Sequence, residues 1–501
     1  MNKLIIPIIV VGIITAGIGA FFVLQKPAFP KPPKEGIGTL PEPESEAVKQ
    51  KQSLKSIQDS PFGMHTGATR PFLKPDEKPS FGGFNYNDAI NIGVGWERPG
   101  LYASYPLNAK LMDVSYKDIP YGINIVANIE TPRQKGTFKL RISEREYQDF
   151  VKQLVERYNG DGIDDMPELK NPIKYWQIDN EPPFWQLGQN DKLSGSPMEW
   201  MRDTRDDYAM ILELAGNTIH STCPDCKLVI GGMVGMGNEQ SKDIFNEFYK
   251  PILQKLNGKY IDVFDFHVFG GSNKEYLNSK MMYKIIRQGL DEYVYSDTEI
   301  WILETGTYSG QPVDMGKTMP KQLEKKQAGD LIKHFIYPLT FGVKKVFWAW
   351  AMVEGTSPID DNDFFDNTGL IYDGIGEGDL GYGVKKLAYY TYKKMVEVLE
   401  GSDWNNIQTI QESESDGIYV YKFTKSGKPI WVAWNDNSAG KTITITGIDS
   451  QQVKITEAVP KYESGKEVMD YATAFNTETK SVSNGRITIT LGDKPVFVEE
   501  Q

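Results

Sequence analysis

Two glutamates stand at the ends of short apolar stretches that lie far apart in the chain. Glu181 ends the stretch YWQIDNE, and Glu304 lies near the end of WILETG. Both stretches have the apolar and aromatic residues of buried strands, and Pro182 and Pro183 cannot continue a strand's hydrogen-bond ladder. Two carboxyl groups that face each other can cleave a glycosidic bond, because one protonates the leaving oxygen while the other attacks the anomeric carbon.

Eight short apolar stretches that end in polar residues are predicted to be strands, and two of them carry these glutamates. They span residues 61–65, 89–98, 122–130, 174–181, 227–233, 261–269, 299–306 and 344–352. Helical segments lie between them, and one opens with Ser143 and Glu146 at capping-box spacing. This alternation predicts an α/β fold, a (β/α)8 TIM barrel over residues 61–401. Since the carboxyl ends of barrel strands share one mouth, Glu181 after strand four and Glu304 on strand seven should face each other.

The pattern changes after a predicted helix that ends near Gly401. Residues 402–501 hold short alternating runs such as GIYVYKFT, PIWVAWN, KTITITGI and RITITLG, separated by Gly, Asn and Ser. Such runs are typical of a small antiparallel β-sandwich. No acids or histidines gather in this part of the sequence, so we interpret it as a structural domain.

The stretches around the two glutamates resemble glycoside hydrolase clan A, the (β/α)8 retaining glycosidases, and in particular members of families 39 and 5. The resemblance runs over nearly all of residues 60–400 and rests on Asn180–Glu181 after strand four and on Glu304 near the end of strand seven. It implies that Glu181 is the acid/base and Glu304 the nucleophile. It also implies that Asn180 binds the 2-hydroxyl group of the sugar.

Further positions follow from the same resemblance. Arg98 in GWER is expected to keep the nucleophile ionised, His267 in DFHVF matches a histidine near the end of strand six, and Trp350 in FWAWAM matches an aromatic sugar platform. One position departs from the pattern, because several families have Tyr two residues after that histidine and this chain has Phe269. Tyr308 is the predicted replacement for the missing hydrogen bond. The alternative for Arg98 is a surface ion-pair residue. The alternative for His267 and for Trp350 is a residue of the core.

The first 25 residues contain a run without charge from Leu4 to Leu24, which matches the roughly 20 residues needed to span a bilayer. We predict a transmembrane signal anchor over residues 1–25, with a cleaved signal peptide as the alternative. Residues 26–60 are rich in Pro, Lys and Glu and are predicted to be an extended linker. The catalytic part is then expected outside the cell membrane, so protease added to intact cells should release it.

Two short motifs suggest other structural features. Cys223 and Cys226, the two cysteines of the chain, are expected to form a local disulfide outside the cell, with two free thiols as the alternative. The acidic loop NGDGIDD, residues 159–165, and the stretch 360–366 have acids around a turn, which is compatible with bound Ca²⁺ or with a solvated acidic turn. Neither acidic stretch has the full pattern of a twelve-residue calcium loop.

The charge balance excludes a nucleic-acid partner. The chain has 55 basic and 67 acidic residues, a net charge of −12, and no run of Lys or Arg after the linker. The predicted function is a retaining glycoside hydrolase that cleaves β-linked oligo- or polysaccharides and requires no cofactor. The alternatives are a transglycosylase that uses the same residues, and a membrane-tethered carbohydrate-binding envelope protein without activity.

Overall fold

The computed structural model describes most of the chain beyond the predicted linker. The described residues are 59–65, 86–100, 102–183, 197–235, 238–270, 274–314, 316–355, 362–375, 378–437 and 439–501. The predicted anchor and nearly all of the predicted linker lie outside them, so both stay predictions. Among the described helices, none combines the length and the apolar character that a membrane span requires.

Eight parallel strands close into a barrel, as predicted. They are β1 (Phe62–His65), β2 (Trp96–Arg98), β3 (Asn124–Ile129), β4 (Tyr175–Ile178), β5 (Lys227–Ile230), β6 (Val263–Phe269), β7 (Glu299–Gly306) and β8 (Val346–Trp348). Each strand pairs with the next, and β8 pairs with β1, which completes the ring. The (β/α)8 barrel predicted from the sequence is confirmed.

Helices surround the barrel and connect its strands. They are α1 (Tyr86–Ile92), α2 (Ala109–Lys117), α3 (Glu144–Tyr158), α4 (Pro197–Thr222), α5 (Asn238–Ile244), α6 (Lys250–Leu256), α7 (Asn278–Glu292), α8 (Glu324–Leu339) and α9 (Leu387–Leu399). The predicted capping box at the start of α3 is present, since the Ser143 hydroxyl accepts from the Glu146 amide and Glu146 accepts from the Ser143 amide.

The predicted strand over residues 89–98 was wrong in its first half. Residues 86–92 form α1, and the strand begins only at Trp96. Ala89 and Ile92 are both buried and lie three residues apart, the spacing of one helix face, although the apolar run resembles a strand. Gly93 then ends the helix with a backbone φ of 80°, which glycine adopts readily.

The lower interior of the barrel is filled by large apolar side chains. The cluster consists of Trp96, Val126, Val229, Val263, Trp301, Leu303 and Phe347. Trp96 and Trp301 pack edge to face at 5.3 Å between ring centroids, so the barrel is a packed core rather than a channel. A packed interior leaves the carboxyl ends of the strands as the place where a site can form.

The C-terminal region is an antiparallel sandwich, again as predicted. Its strands are β9 (Gln408–Ser413), β10 (Ile418–Lys425), β11 (Lys428–Asn435), β12 (Lys441–Thr446), β13 (Gln452–Glu457), β14 (Thr477–Ser481), β15 (Arg486–Leu491) and β16 (Val496–Glu500). One sheet has six strands in the order β9-β10-β11-β16-β13-β14, and β12 pairs with β15 in the other. Apolar residues from both sheets share one core, which is typical of a sandwich.

The sandwich is joined to the barrel through buried polar contacts. Glu324, at the start of α8, accepts hydrogen bonds from the amides of Leu387 (2.7 Å) and Gly465 (2.8 Å). Asp436 accepts a hydrogen bond of 2.6 Å from the Tyr276 hydroxyl. The Glu324 contacts bring α8, α9 and the sandwich together around one carboxylate, and Asp436 joins the sandwich to Tyr276 at a second point.

The predicted disulfide is present. Cys223 and Cys226 are bonded to each other in the turn between α4 and β5. Cys223 and Cys226 are both buried, so the bridge fastens the end of the longest described helix to the start of a barrel strand.

The carboxylates of the acidic loop are directed at its own backbone. Asp165 accepts hydrogen bonds from the amides of Gly160 (2.9 Å) and Gly162 (2.7 Å), and Asp161 accepts from the amide of Ile163 (2.8 Å). The described groups in which three ligand atoms lie within 4.8 Å of one another are elsewhere in the chain. These hydrogen bonds hold the loop together without an ion.

We therefore expect chelation of divalent cations to leave the stability of the protein unchanged. A melting curve recorded with EDTA should superimpose on one recorded with added Ca²⁺, because Asp161 and Asp165 already have partners without the ion. A metal that bound only the folded state would instead raise the melting temperature when it is added. A drop of several degrees on chelation would contradict this prediction.

Candidate active site

The structure brings the two predicted glutamates together at one mouth of the barrel. Glu181 follows β4 and Glu304 lies near the end of β7, and both side chains are buried. A carboxylate oxygen of Glu181 and one of Glu304 lie within 4.8 Å of each other, and a ring nitrogen of His267 lies within the same distance of both. A sugar oxygen and its anomeric carbon could therefore contact both carboxyl groups.

Arg98 connects the two strand ends. Its Nη1 donates to Glu304 Oε1 at 2.7 Å, and its Nη2 donates to Asn180 Oδ1 at 2.8 Å. Its Nε donates to Gln177 Oε1 at 2.7 Å. The buried guanidinium thus binds the predicted nucleophile and the residue beside the predicted acid at once, so it fixes their relative position. Arg98 is not a surface ion-pair residue.

A β-bulge in β7 aims Glu304 into the barrel. Strict alternation would place Glu304 on the face opposite Trp301 and Leu303, both of which fill the barrel interior. The pairing of β7 with both neighbours shifts by one residue just before Glu304, so β7 contains an extra residue there. Strict alternation alone would point Glu304 away from the interior, and the bulge turns its carboxylate inward.

Asp265 on β6 stabilises this bulge. Its Oδ1 accepts a hydrogen bond of 2.9 Å from the amide of Leu303, which the bulge releases from the strand ladder. Its Oδ2 accepts from Gln177 Nε2 at 2.8 Å and contacts His267 Nε2 at 2.9 Å. Asp265 was not among the predicted site residues, although it stands two residues before His267 and therefore on the same strand face.

His267 lies between the two glutamates. Its Nδ1 is 2.6 Å from Glu181 Oε1 and 3.6 Å from Glu304 Oε2. Burial alone would lower the pKa of His267, but the charges of Glu304 and Asp265 and the hydrogen bonds to Asp265 and Glu181 raise it to about 10. His267 is therefore an imidazolium at neutral pH, and it donates one ring proton to Asp265 and the other to Glu181.

One oxygen of Glu304 is free to react. Oε1 is bound by Arg98, whereas Oε2 has no hydrogen-bond partner among the described residues. Burial raises the pKa of Glu304, and the charges of His267 and Arg98 oppose that rise. An unsolvated carboxylate oxygen next to two cations has the geometry of an oriented nucleophile.

Trp350 stands at the edge of the site. Its ring stacks on His65, with 4.4 Å between centroids and an angle of 24° between the planes, and its side chain is partly exposed. His65 Nε2 lies 3.6 Å from Glu304 Oε1, so the stacked pair reaches the predicted nucleophile. Burial, then the charges of Arg98 and His267, lower the pKa of His65, which is therefore neutral. His65 was not predicted from the sequence.

Tyr308 does not reach Glu304, contrary to the prediction. Its hydroxyl donates to the carbonyl oxygen of Pro320 at 2.8 Å, because β7 ends at Gly306 and the chain has already turned away. Phe269 packs edge to face on Phe365 at 5.2 Å. Tyr102 instead interacts electrostatically with Glu304, because burial raises the pKa of Tyr102, the charge of Arg98 opposes that rise and the charge of Glu304 adds to it.

The loop that carries Glu181 has an unusual backbone. Asp179 and Glu181 both have positive φ, 58° and 43°, a conformation that costs L-residues roughly 1 kcal/mol each. The Asp179 carboxylate offsets this strain, since it accepts from the Thr131 amide (2.9 Å) and hydroxyl (2.6 Å) and pairs with Arg133 Nη1 (3.0 Å). Such strain is typical of functional loops that the surrounding structure holds in place.

The raised pKa of Glu304 predicts how activity should depend on pH on the acid side. Glu304 can attack only as a carboxylate, and burial raises its pKa, so activity should be lost as the pH falls through a value above that of an ordinary glutamate. Arg98→Met removes a cation that lowers this pKa, so the acid limb of kcat/KM should move to higher pH.

The control variant is Arg202→Gln, which removes the same charge from an exposed ion pair with Glu247 on the outer surface. Its profile should match that of the unmodified chain. An acid limb that stays in place in Arg98→Met would show that Glu304 is not the group that titrates there.

The group of Glu181, His267 and Glu304 also has the ligand types of a metal site. Arg98 argues against that use, because its guanidinium already lies 2.7 Å from Glu304 and would repel a bound cation. The arrangement fits two carboxyl groups acting on a bound substrate.

No family model matches the sequence, and no curated protein matches it. Solved structures do match its fold. A family 39 glycoside hydrolase from Bacteroides cellulosilyticus WH2 aligns with a TM-score of 0.58 and 16% identity, over 89% of this chain and 82% of that chain. A glucosidase from Croceicoccus marinus gives 0.55 and 13%, over 88% and 96%. A family 51 arabinofuranosidase from Xanthomonas axonopodis pv. citri gives 0.55 and 12%, also over 88% and 96%.

These similarities extend over both the barrel and the sandwich, at identities that establish the fold alone. The resemblance predicted from Asn180–Glu181 and Glu304 is confirmed at that level. The chain has the fold of the clan A glycoside hydrolases of families 39 and 51, a (β/α)8 barrel followed by a β-sandwich.

Proposed function

We propose that the protein is a retaining glycoside hydrolase that acts on β-linked sugars by double displacement. The observation that carries this proposal is the separation of Glu181 and Glu304, whose carboxylate oxygens lie within 4.8 Å of each other. Retaining enzymes hold their two carboxyl groups about 5 to 5.5 Å apart, whereas inverting enzymes leave about 6.5 to 9.5 Å for a water molecule. The fold shared with glycoside hydrolases supports the same conclusion.

Glu304 is the nucleophile in this proposal. Its free Oε2 forms a bond to the anomeric carbon while the bond to the leaving oxygen breaks, and Arg98 and His267 stabilise the carboxylate before the attack. The product of this step is a glycosyl ester on Glu304. Water then attacks the anomeric carbon and releases the carboxylate.

Glu181 is the acid and then the base. The buried site holds two cations, Arg98 and His267, against the carboxyl groups of Glu181, Asp265 and Glu304, so one retained proton makes it neutral. Asp265 and Glu304 each bind strong donors, while Glu181 has His267 as its single hydrogen-bond partner among the described residues. We assign the proton to Glu181, which gives it to the leaving oxygen and later takes one from water.

Asn180 and Trp350 are assigned to substrate binding. Asn180 Oδ1 is held by Arg98, so its amide nitrogen is the group left to face a sugar hydroxyl. Trp350 presents a partly exposed ring at the edge of the site, and pyranose C–H groups pack on such rings. The substrate class is an oligo- or polysaccharide. A location outside the cell membrane remains a proposal from the N-terminal sequence.

The stereochemistry of the product tests the mechanism. The full chain is incubated with a panel of aryl β-glycosides, and proton NMR follows the anomer that forms first. We expect the β-anomer to appear before mutarotation, because two displacements at one carbon restore its configuration. An α-anomer formed first would contradict a retaining mechanism, and no hydrolysis of any β-glycoside would contradict the proposed activity.

A further inference from the structure

A cavity of about 450 Å³ lies beside the loop that carries Glu181. Its walls are the hairpin that follows β3, residues 130–136, together with Ser104, Tyr105 and Arg141. The hairpin is closed by hydrogen bonds from the Gln134 amide to the Lys139 carbonyl (2.8 Å) and from the Arg141 amide to the Pro132 carbonyl (2.9 Å). The cavity is therefore a defined feature at the carboxyl end of the barrel.

The lining of the cavity is cationic, although the chain as a whole has a net charge of −12. Arg133, Lys135 and Arg141 line it, and Glu130 is its one acid. Arg133 is neutralised by Asp179 at 3.0 Å. Lys135 and Arg141 have no carboxylate within ion-pair distance in the part of the chain that the structure describes. Their two positive charges stand against the one negative charge of Glu130, so the lining has an excess of one positive charge.

The cavity is coupled directly to the catalytic loop. Thr131 lines it and binds the carboxylate of Asp179 through its amide (2.9 Å) and its hydroxyl (2.6 Å). Asp179 precedes Glu181 by two residues, a span of at most about 7 Å along the backbone. A substrate held at Glu181 can therefore place a neighbouring sugar in this cavity.

We propose that the cavity binds the carboxylate of an acidic sugar, so that the substrate is a polysaccharide containing uronic acid residues. This inference rests on the proposed glycosidase function. Arg141 has the planar fork that binds carboxylates in a bidentate manner, and Lys135 adds a second donor. A carboxylate carries one negative charge and balances the single excess positive charge. A phosphate monoester, which carries closer to two, would leave the cavity next to Glu130 negative.

Matched oligosaccharides test this proposal. The probes are a tetramer of β-1,4-linked glucuronic acid and cellotetraose, which have the same linkage and differ at C6. Binding to the full chain is measured by isothermal titration calorimetry with Glu304→Gln in place, so that no turnover occurs. We expect the acidic tetramer to bind roughly tenfold more tightly than cellotetraose, with the preference weakening as salt is added.

Substitutions in the lining should change this preference in opposite directions. The double substitution Lys135→Gln and Arg141→Gln should abolish it while cellotetraose binding stays the same, and Glu130→Gln should increase it. Lys139→Gln is the matched control, because it removes a cation from the same hairpin without changing the lining. Equal affinities for the two tetramers, no binding of the acidic tetramer, or a preference that survives the double substitution would overturn the proposal.

Two further readouts separate this inference from the proposed function. Inorganic phosphate should compete weakly with the acidic tetramer, and equal competition on a molar basis would mean a general anion site instead. If the unmodified chain hydrolyses neutral β-glycosides but shows no preference in binding, the cavity assignment alone fails. If the preference is present and no glycoside is hydrolysed, the proposed catalytic function fails and the carboxylate site stands.

Discussion

Glu304→Ala is expected to remove activity toward every substrate, whatever its leaving group. The substitution deletes the oxygen that attacks the anomeric carbon, so neither the glycosyl ester nor its hydrolysis can occur. Loss of a nucleophile that acts in concert with other groups costs more than about 10⁴-fold in kcat. The measurement is kcat/KM across a series of aryl β-glycosides whose leaving groups span a wide range of pKa.

Two variants accompany this experiment. Glu304→Gln keeps the size of the side chain and an oxygen that faces Arg98, so it should be equally inactive while the protein remains folded. Glu292→Ala removes a glutamate from an exposed ion pair with Lys250 and should retain full activity. Activity above about one per cent in a folded Glu304→Ala protein would show that another group is the nucleophile.

Glu181→Ala should separate the two chemical steps instead of removing both. A dinitrophenyl group leaves without protonation, so the first step should be spared for dinitrophenyl glycosides and slowed by about 10²- to 10⁴-fold for poor leaving groups. Hydrolysis of the ester then stalls, because no base activates the water. The covalent glycosyl enzyme should accumulate on Glu304 and be visible by intact mass spectrometry.

Azide provides the decisive comparison for this variant. It attacks without the help of a base, so millimolar azide should restore turnover of Glu181→Ala and yield a β-glycosyl azide, with no effect on Glu304→Ala. The unmodified protein gives the baseline for each substrate. If Glu181→Ala and Glu304→Ala lost activity equally on good and poor leaving groups, the two roles would be assigned wrongly.

The strand ends were predictable because a strand has a simple physical signature. Apolar stretches followed by polar or breaking residues located Glu181 and Glu304, and barrel geometry brought them to one mouth. The resemblance to clan A added Arg98 and His267. The short segment 86–92 was not predicted, since a helix of two turns and a strand can share the same apolar composition.

The side-chain contacts between strands could not be predicted from the sequence. The bulge in β7 depends on Asp265 accepting the amide of Leu303, a contact between two strands that no local pattern encodes. Gln177 and His65 belong to the site because they meet Arg98 and Glu304 in space. The predicted hydrogen bond from Tyr308 to Glu304 is absent for the same reason. The direction of the chain after Gly306 decides what the Tyr308 hydroxyl can reach, and it donates to Pro320 instead.

The buried carboxylate of Glu324 bears on how this protein could be rebuilt. It belongs to a barrel helix, yet one of its oxygens binds an amide of the sandwich, and side chains from both regions form a continuous apolar core. Cutting the chain near Gly401 would remove the Gly465 amide from Glu324 and expose that core to water. The barrel and the sandwich are thus one structural unit, and moving the barrel with its strand-end carboxylates onto another scaffold requires both.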